Sequence, residues 1–579
     1  MTKSAAPEHN CATAGIRMPS YTAASYDPAS RPFYPTSAPF QARMPAGFLK
    51  VEHLDRRPVT FPGLSRKLIA AMIRRLLLAA LFTLGLCAAP AQSGDVPLVQ
   101  RRWFETRTAH FNIYSCGAPQ DVYKLSARLE QFCQAYTLMA TNGAQAVASP
   151  PIVVMAFPNH ETLKPFLPVY QGQPANLAAF FQRGNDENLI VLGLPDTNSA
   201  QTDMEVIFHE YTHLLFRRND RVWPLWLKEG MAEVYSTFET TGYNFRIGKP
   251  IDHHLRLLAQ QPLLPLAELF AVNHNSPQYN EQNRQGIFYA ESWLLTEFLM
   301  AGDNPEYKAR FARFTPLLYQ GQFPEQAFTN AMQITLAAMD AELRRFLKRG
   351  QFAPIELAMP ADVSAPITLT TRPITPVETY FRLGDELLRI NRPEPAELYF
   401  AQAQKLAPAS PLPYEGLGLL AAERKQHEAA RHNLKDALSH SSTSFLAYYV
   451  YAREQYELTA DAESRYSPLK NEAATEIRGE LQKSLTLMPN FGPAHELLGF
   501  FEMVQGENLA LAEQHLQRAI ELEENPSYRF SLAQLQLRKK DLAAARHTLQ
   551  PLLLPGVDAK LRAHAEEMIQ GIDRNQPVY

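Results

Sequence analysis

In "MEVIFHEYTHLLFRR", residues 204–218, His209 and His213 stand four apart with Glu210 between them, in a mostly apolar run. On a helix, positions i and i+4 share a face, so both imidazoles can reach one cation, with Glu210 beside them near an attacking water. A catalytic zinc takes three protein ligands and keeps a fourth position open. The next segment, "VWPLWLKEGMAEVYSTF", offers Glu229, 16 residues past His213, and Glu233 one turn further on. If Glu229 is the third ligand, Glu233 can orient a ligating histidine through its other ring nitrogen. Spacing alone leaves a plainer reading open: two histidines on a buried helix, and glutamates that are solvated or salt-bridged.

The elements that must position these residues are legible in outline. Met204, Val206, Ile207, Phe208, Tyr211, Leu214, Leu215 and Phe216 cover nearly every face of their helix, which predicts a buried one. Ser199 or Thr202 suits its cap, with Asp203 and Glu205 in the first turn. Pro224 suits the first turn of the helix that follows. Upstream, "RTAHFNIYS" (107–115), "PIVVMAF" (151–157) and "ENLIVLGL" (187–194) read as strands, and "QDVYKLSARLEQFCQAYTLMA" as a helix. Strands followed by helices predict an α+β domain over 92–350. Residues 351–376 carry five prolines and no helical period, which predicts a linker.

Beyond it the chain repeats. Gly384, Ala396, Phe400, Ala403 and Pro408 are followed 34 residues later by Gly418, Ala430, Leu434 and Ala437. Gly499, Ala512, Leu516 and Ala519 form a later set, then Ala533, Ala545 and Leu549. Between them an irregular unit ends at "LQKSLTLMP", after an insertion near "TADAESRYSP", and "DAKLRAHAEEMIQGI" reads as a capping helix. Residues 377–579 are therefore expected to be an all-α solenoid.

Composition bounds the partners. The 579 residues are 46% hydrophobic and 20% charged with a net charge of −3, which carries no signal for nucleic acid or an anionic membrane. Residues 1–71 are rich in Pro, Ser, Ala and Tyr without apolar period, and read as disordered or foreign to the mature protein. Residues 72–91 have the anatomy of a signal peptide: Arg74 and Arg75, an apolar run from Leu76 to Cys87, then Ala89-Pro90-Ala91. This predicts translation from Met72, export to the periplasm or outside, and no stable membrane span after cleavage. Lipidation at Cys87 is disfavoured by the bulk of Leu86. Cys116 and Cys133 remain in the mature chain, and an exported chain permits one disulfide between them.

"HEYTH" followed by "PLWLKEGMAEVY" resembles the gluzincin zinc metallopeptidases, the peptidase MA-like group that includes the aminopeptidase-N-like and thermolysin-like branch. The resemblance covers about 105–310. It implies a zincin-like α+β fold and one zinc ion held by His209, His213 and Glu229. Glu210 would be the general base, and a peptide or protein substrate would be cut by zinc-activated water without a covalent intermediate. "GIFYAESWLLTEFLMAGD" (286–303) is similar to the family segment whose tyrosine stabilises the tetrahedral intermediate, which implies a catalytic role for Tyr289. Here Tyr-Ala-Glu-Ser stands where the family has Tyr-Glu-Lys-Gly. The interval from His213 to Glu229 is also shorter than in aminopeptidase-N-like enzymes.

"GNDEN" (184–188) lies at the distance where aminopeptidases of that group place an amine-gripping glutamate, here Glu187, and reads equally as a turn. His253 and His254 in "IDHHLRLL" read as a solvated helix start, or else as an oxyanion donor. Residues 377–556 resemble tetratricopeptide repeats, which implies a concave surface for a protein partner. The alternative is that these repeats are the working part, as an interaction scaffold, with a vestigial α+β half.

Overall fold

The computed structural model describes residues 16–17 and 96–574, apart from 140–151, 171–172, 176, 185, 195–199, 217–222, 242–243, 274–275, 280–285, 359–366, 462–464, 524 and 554–556. The expected signal peptide at 72–91 and nearly all of 1–71 lie outside the described residues. Ile16–Arg17 pair antiparallel with Arg465–Tyr466.

A six-stranded mixed sheet organises the first half. Its strands are β1 (Phe104–Arg107), β2 (Phe111–Ser115), β3 (Ile152–Phe157), β4 (Ala179–Gln182), β5 (Asn188–Gly193) and a late addition, β9 (Thr370–Pro373). The spatial order is β9-β1-β2-β3-β5-β4. The β2–β3 and β3–β5 pairs are parallel, in register Ile113–Val154 and Val154–Ile190, and the remaining pairs are antiparallel. Every residue of β3 and β5 is buried. Both faces are covered there, so the strands read as continuous apolar runs.

Helix α1 (Pro119–Met139) packs on α2 (Ala200–Leu215), with Phe132 stacked on Phe208 at 4.4 Å. Then come α3 (Leu225–Ser236), a three-stranded sheet of β6 (Glu239–Thr241), β7 (Asn244–Ile247) and β8 (Ile355–Ala358), and helices α4 (Asp252–Gln260), α5 (Leu266–Ala271), α6 (Ile287–Ala301) and α7 (Leu336–Arg349).

The expected linker at 351–376 is corrected by this topology. β8 pairs with β7, and β9 closes the main sheet against β1. Prolines bar a segment from the middle of a sheet, but an edge strand can face its missing N–H away from the ladder. Both segments are edges. Arg372 of β9 also reaches Glu105 of β1 at 2.6 Å.

The second half consists of paired antiparallel helices: α8 (Pro376–Arg389) with α9 (Pro393–Leu406), α10 (Pro411–Glu423) with α11 (His427–Ser439), α12 (Phe445–Glu457) with α13 (Asn471–Leu487), α14 (Gly492–Gln505) with α15 (Leu509–Leu522), α16 (Pro526–Arg538) with α17 (Leu542–Leu549), and a last helix α18 (Ala559–Asp573). The repeating small residues explain the pairing. A Cβ at Gly384, Gly418 or Gly499 would come within 2.7, 2.5 and 2.7 Å of Phe400, Leu434 and Leu516 on the partner helix. Ala396, Ala430, Ala512 and Ala545 are fully buried at the equivalent crossings. This half is a helical-repeat solenoid.

The two halves are joined by charge. Arg389 of α8 forms a bidentate pair with Asp186 at 3.0 and 2.6 Å, and lies 3.3 Å from Glu187. Arg382 lies 3.6 Å from Glu187 and 4.5 Å over the ring of Tyr114. Burial pushes the Asp186 carboxyl up, but the Arg389 charge outweighs it and holds the group below its ordinary value. The acids sit in the turn between β4 and β5, so the first repeat helix is latched to the sheet.

Candidate metal centre

Two helices carry the site, and each is fixed by the face opposite its polar residues. On α3, Trp226 is fully buried between Phe270 (5.0 Å) and Phe314 (6.0 Å). Gly230 sits where α3 meets α6: a Cβ there would fall 2.3 Å from the Ser292 carbonyl oxygen and 2.1 Å from Thr296 Oγ1. The glycine of "W-L-x-E-G" therefore allows close contact between helices, and its neighbour Glu229 is aimed at α2. Pro224 takes the position just before α3, in extended conformation, one place earlier than its expected first turn.

Nε2 of His209 and Nε2 of His213 lie 3.1 Å apart, and each is 3.4 Å from Oε2 of Glu229. No other cluster of three or more such donors that could hold a metal occurs among the described residues. Around a tetrahedral ion with ligand distances of about 2.0–2.1 Å, ligand atoms stand roughly 3.3–3.4 Å from one another. Two nitrogens and one carboxylate oxygen at these separations therefore fit zinc in both donor type and spacing. His209 and Glu229 are buried, whereas the His213 side chain keeps 16% of its surface exposed, so the cluster opens on that side. Burial pushes the Glu229 carboxyl up, but the charge of His213 and hydrogen bonds from both imidazoles outweigh it and hold the group far below the carboxylate range. Glu210 is buried beside them, its Oε1 3.9 Å from His209 Nε2.

Glu233 lies behind His209, with Oε1 3.4 Å from Nδ1. A ring nitrogen facing a carboxylate in this way leaves the opposite nitrogen's lone pair for the centre. Oε2 of Glu233 in turn lies 3.2 Å from Nε2 of His254. The reading of the His253–His254 pair as a solvated helix start is corrected for one member. His253 is exposed, but His254 is fully buried. The signal was present in the helical period, since His254 shares its face of α4 with buried Leu258.

Tyr289 is buried at the start of α6 with its ring stacked on Tyr279, centroids 5.9 Å apart. It is Tyr279 whose hydroxyl donates toward Glu229 Oε1, at 3.5 Å. Sequence reasoning passed over Tyr279 because it is a single aromatic in a polar loop, with no period or motif to mark it. Glu291, two residues past Tyr289, is buried and accepts the Leu264 backbone N–H at 2.7 Å. Burial pushes its carboxyl up to about 8. Glu187, considered for amine recognition, is occupied by Arg382 and Arg389. Of the two cysteines that left a disulfide open, Cys133 is a free thiol that turns toward α2, its Sγ 2.7 Å from the Tyr211 hydroxyl.

The chain matches no family model and no curated protein sequence. Solved structures resemble about a third of it. A thermophilic TPR protein of Thermus thermophilus is 23% identical over 33% of this chain and 97% of its own, with a TM-score of 0.26. YrrB, a TPR protein with an unusual peptide-binding site, is 17% identical over 32% of this chain and 90% of its own, TM-score 0.27. PilF of Pseudomonas aeruginosa is 18% identical over 34% of this chain and 85% of its own, TM-score 0.29. No helix among the described residues is long and apolar enough to cross a membrane.

Proposed function

We propose that the α+β half is a zinc-dependent peptide hydrolase of gluzincin type, and that the repeat half brings it a protein substrate or partner. The observation that carries this reading is the donor triangle of His209, His213 and Glu229, with Glu210 at its side. When bound, a zinc ion there supplies Lewis acidity to a water and to the carbonyl under attack. Glu210 accepts the proton from the attacking water and returns it to the leaving amine. Glu233 keeps His209 in the tautomer that points its lone pair inward. Tyr279, with Tyr289 stacked behind it, offers a hydroxyl at the rim for the developing negative charge.

β4 ends the six-stranded sheet and packs beside α2. Its outer edge can pair with an extended peptide laid along the site. The signal-like segment at 72–91 supports export. The test is zinc stoichiometry of the purified chain, followed by peptide cleavage by wild type and Glu210→Gln. One zinc per chain, with cleavage abolished in the variant, is the expected result. A chain without stoichiometric zinc sinks the reading.

A second reading is favoured by the repeat architecture: a protein-interaction scaffold whose α+β half no longer reacts. The repeats are a fold built to present a continuous surface to partners. Under this reading the chain captures a partner, and Glu210→Gln leaves that capture unchanged while no peptide is cleaved by either chain.

A further inference from the structure

We propose that His254 is a positioning residue for the metal centre, acting through Glu233 on His209. The inference rests on the zinc reading above and extends it to a residue outside the H-E-x-x-H and W-L-x-E-G segments.

His254 has no exposed surface. Its ring lies between those of His253, at 4.2 Å, and Trp293, at 5.9 Å. A buried imidazole costs free energy unless its polar atoms are matched, and a leucine would fill such a place without that cost. The polar group it meets is the Glu233 carboxylate, 3.2 Å from Nε2, within hydrogen-bond reach though the ring N–H is turned off the direct line to the oxygen. The other oxygen of that carboxylate faces Nδ1 of His209 at 3.4 Å.

Glu233 thus faces an imidazole on each side, one oxygen toward each ring nitrogen at 3.4 and 3.2 Å, with both ring N–H groups off the direct line. It is buried on α3 one turn beyond Glu229, so the three-residue chain runs from α4 through α3 to α2. With His254 in place, Glu233 stays an acceptor with a fixed plane. His209 must then carry its proton on Nδ1 and present Nε2 to the centre. Without His254, one oxygen of Glu233 loses this contact in a dry site, and the carboxylate is free to rotate. That rotation loosens the orientation of His209. Partners of this kind behind a metal-binding histidine are worth about 10–100-fold in metal affinity.

The test measures zinc affinity of the full chain by competition with a chromophoric chelator, for wild type, His254→Phe, His254→Gln, Glu233→Gln and the double variant His254→Phe/Glu233→Gln. Loss of His254 is expected to weaken zinc binding about 10–100-fold. Glutamine, whose amide N–H can stand near the Nε2 position, should restore most of it. In the Glu233→Gln background, His254→Phe should add little, because both act through one contact. A pure packing role predicts the opposite: no rescue by glutamine, and a full additional loss in the double variant. If the phenylalanine chain does not fold, His254→Met enters the same cycle. Wild type without zinc overturns the metal reading and this inference together. Wild type with zinc and an unchanged His254→Phe affinity overturns this inference alone.

Discussion

Replacing Gly230 by alanine tests whether the approach of α3 to α6 sets the proposed metal centre. The new Cβ would lie 2.3 Å from the Ser292 carbonyl oxygen and 2.1 Å from Thr296 Oγ1, where ordinary contact begins near 3.4 Å. The threonine hydroxyl can rotate away, but the Ser292 carbonyl is backbone. The helices must therefore part by roughly 1 Å, at an overpacking cost of about 1–3 kcal/mol. Alanine recovers about 1 kcal/mol of helix propensity relative to glycine. The net loss of stability is thus about 0–2 kcal/mol, too small to unfold the chain.

The effect at the site is expected to be larger, because Glu229 is the adjacent residue. A shift of its helix by that amount breaks the 3.4 Å spacings to both imidazoles. Misplacement by 1 Å can cost about 100-fold in rate. On the proposed hydrolase reading, Gly230→Ala should therefore remain folded by circular dichroism, bind zinc at least about 10-fold more weakly by chelator competition, and cleave peptide about 100-fold more slowly. A variant that resists denaturant better than wild type and binds zinc equally well would refute the claimed helix contact.

Other perturbations reach the remaining parts. Arg389→Ala leaves the half-buried Asp186 without its bidentate partner, at a cost of about 1–3 kcal/mol, and amide hydrogen exchange in the β4–β5 turn and α8 should accelerate; unchanged exchange at both places would show that the latch carries no load. Burial pushes Glu105 up, but hydrogen bonds from Arg107 and Tyr114 and the charge of Arg372 hold it below its ordinary value of 4.5. Its contribution is therefore present above that pH and lost as pH falls through the lower folded value, so β9 should loosen on acidification, read by exchange at 370–373 and flattened in Glu105→Gln. On the same reading, Tyr279→Phe should keep zinc but lower cleavage about 10–100-fold, the loss of one donor to developing charge. If Tyr289→Phe loses activity and Tyr279→Phe does not, the phenol assigned from the sequence is the working one.

Residue spacing by itself determined that His209 and His213 share a helical face and that Glu229 and Glu233 stand one turn apart, because helical period is a local property. The repeats were legible for a related reason: Gly384, Gly418 and Gly499 mark places where only a missing side chain lets two neighbouring helices touch. The tertiary structure decided what depends on contacts distant in sequence. The proline-rich stretch at 351–376 became two sheet edges because β1 and β7 each had an open edge to pair. Glu187 met arginines about 200 residues later, and Cys133 met Tyr211 rather than Cys116. Tyr279 and His254 reached the site from a loop and a helix that carry no motif. Local pattern tells each segment what shape to take, but which side chains meet across elements is set by packing, and that information is spread over the whole chain.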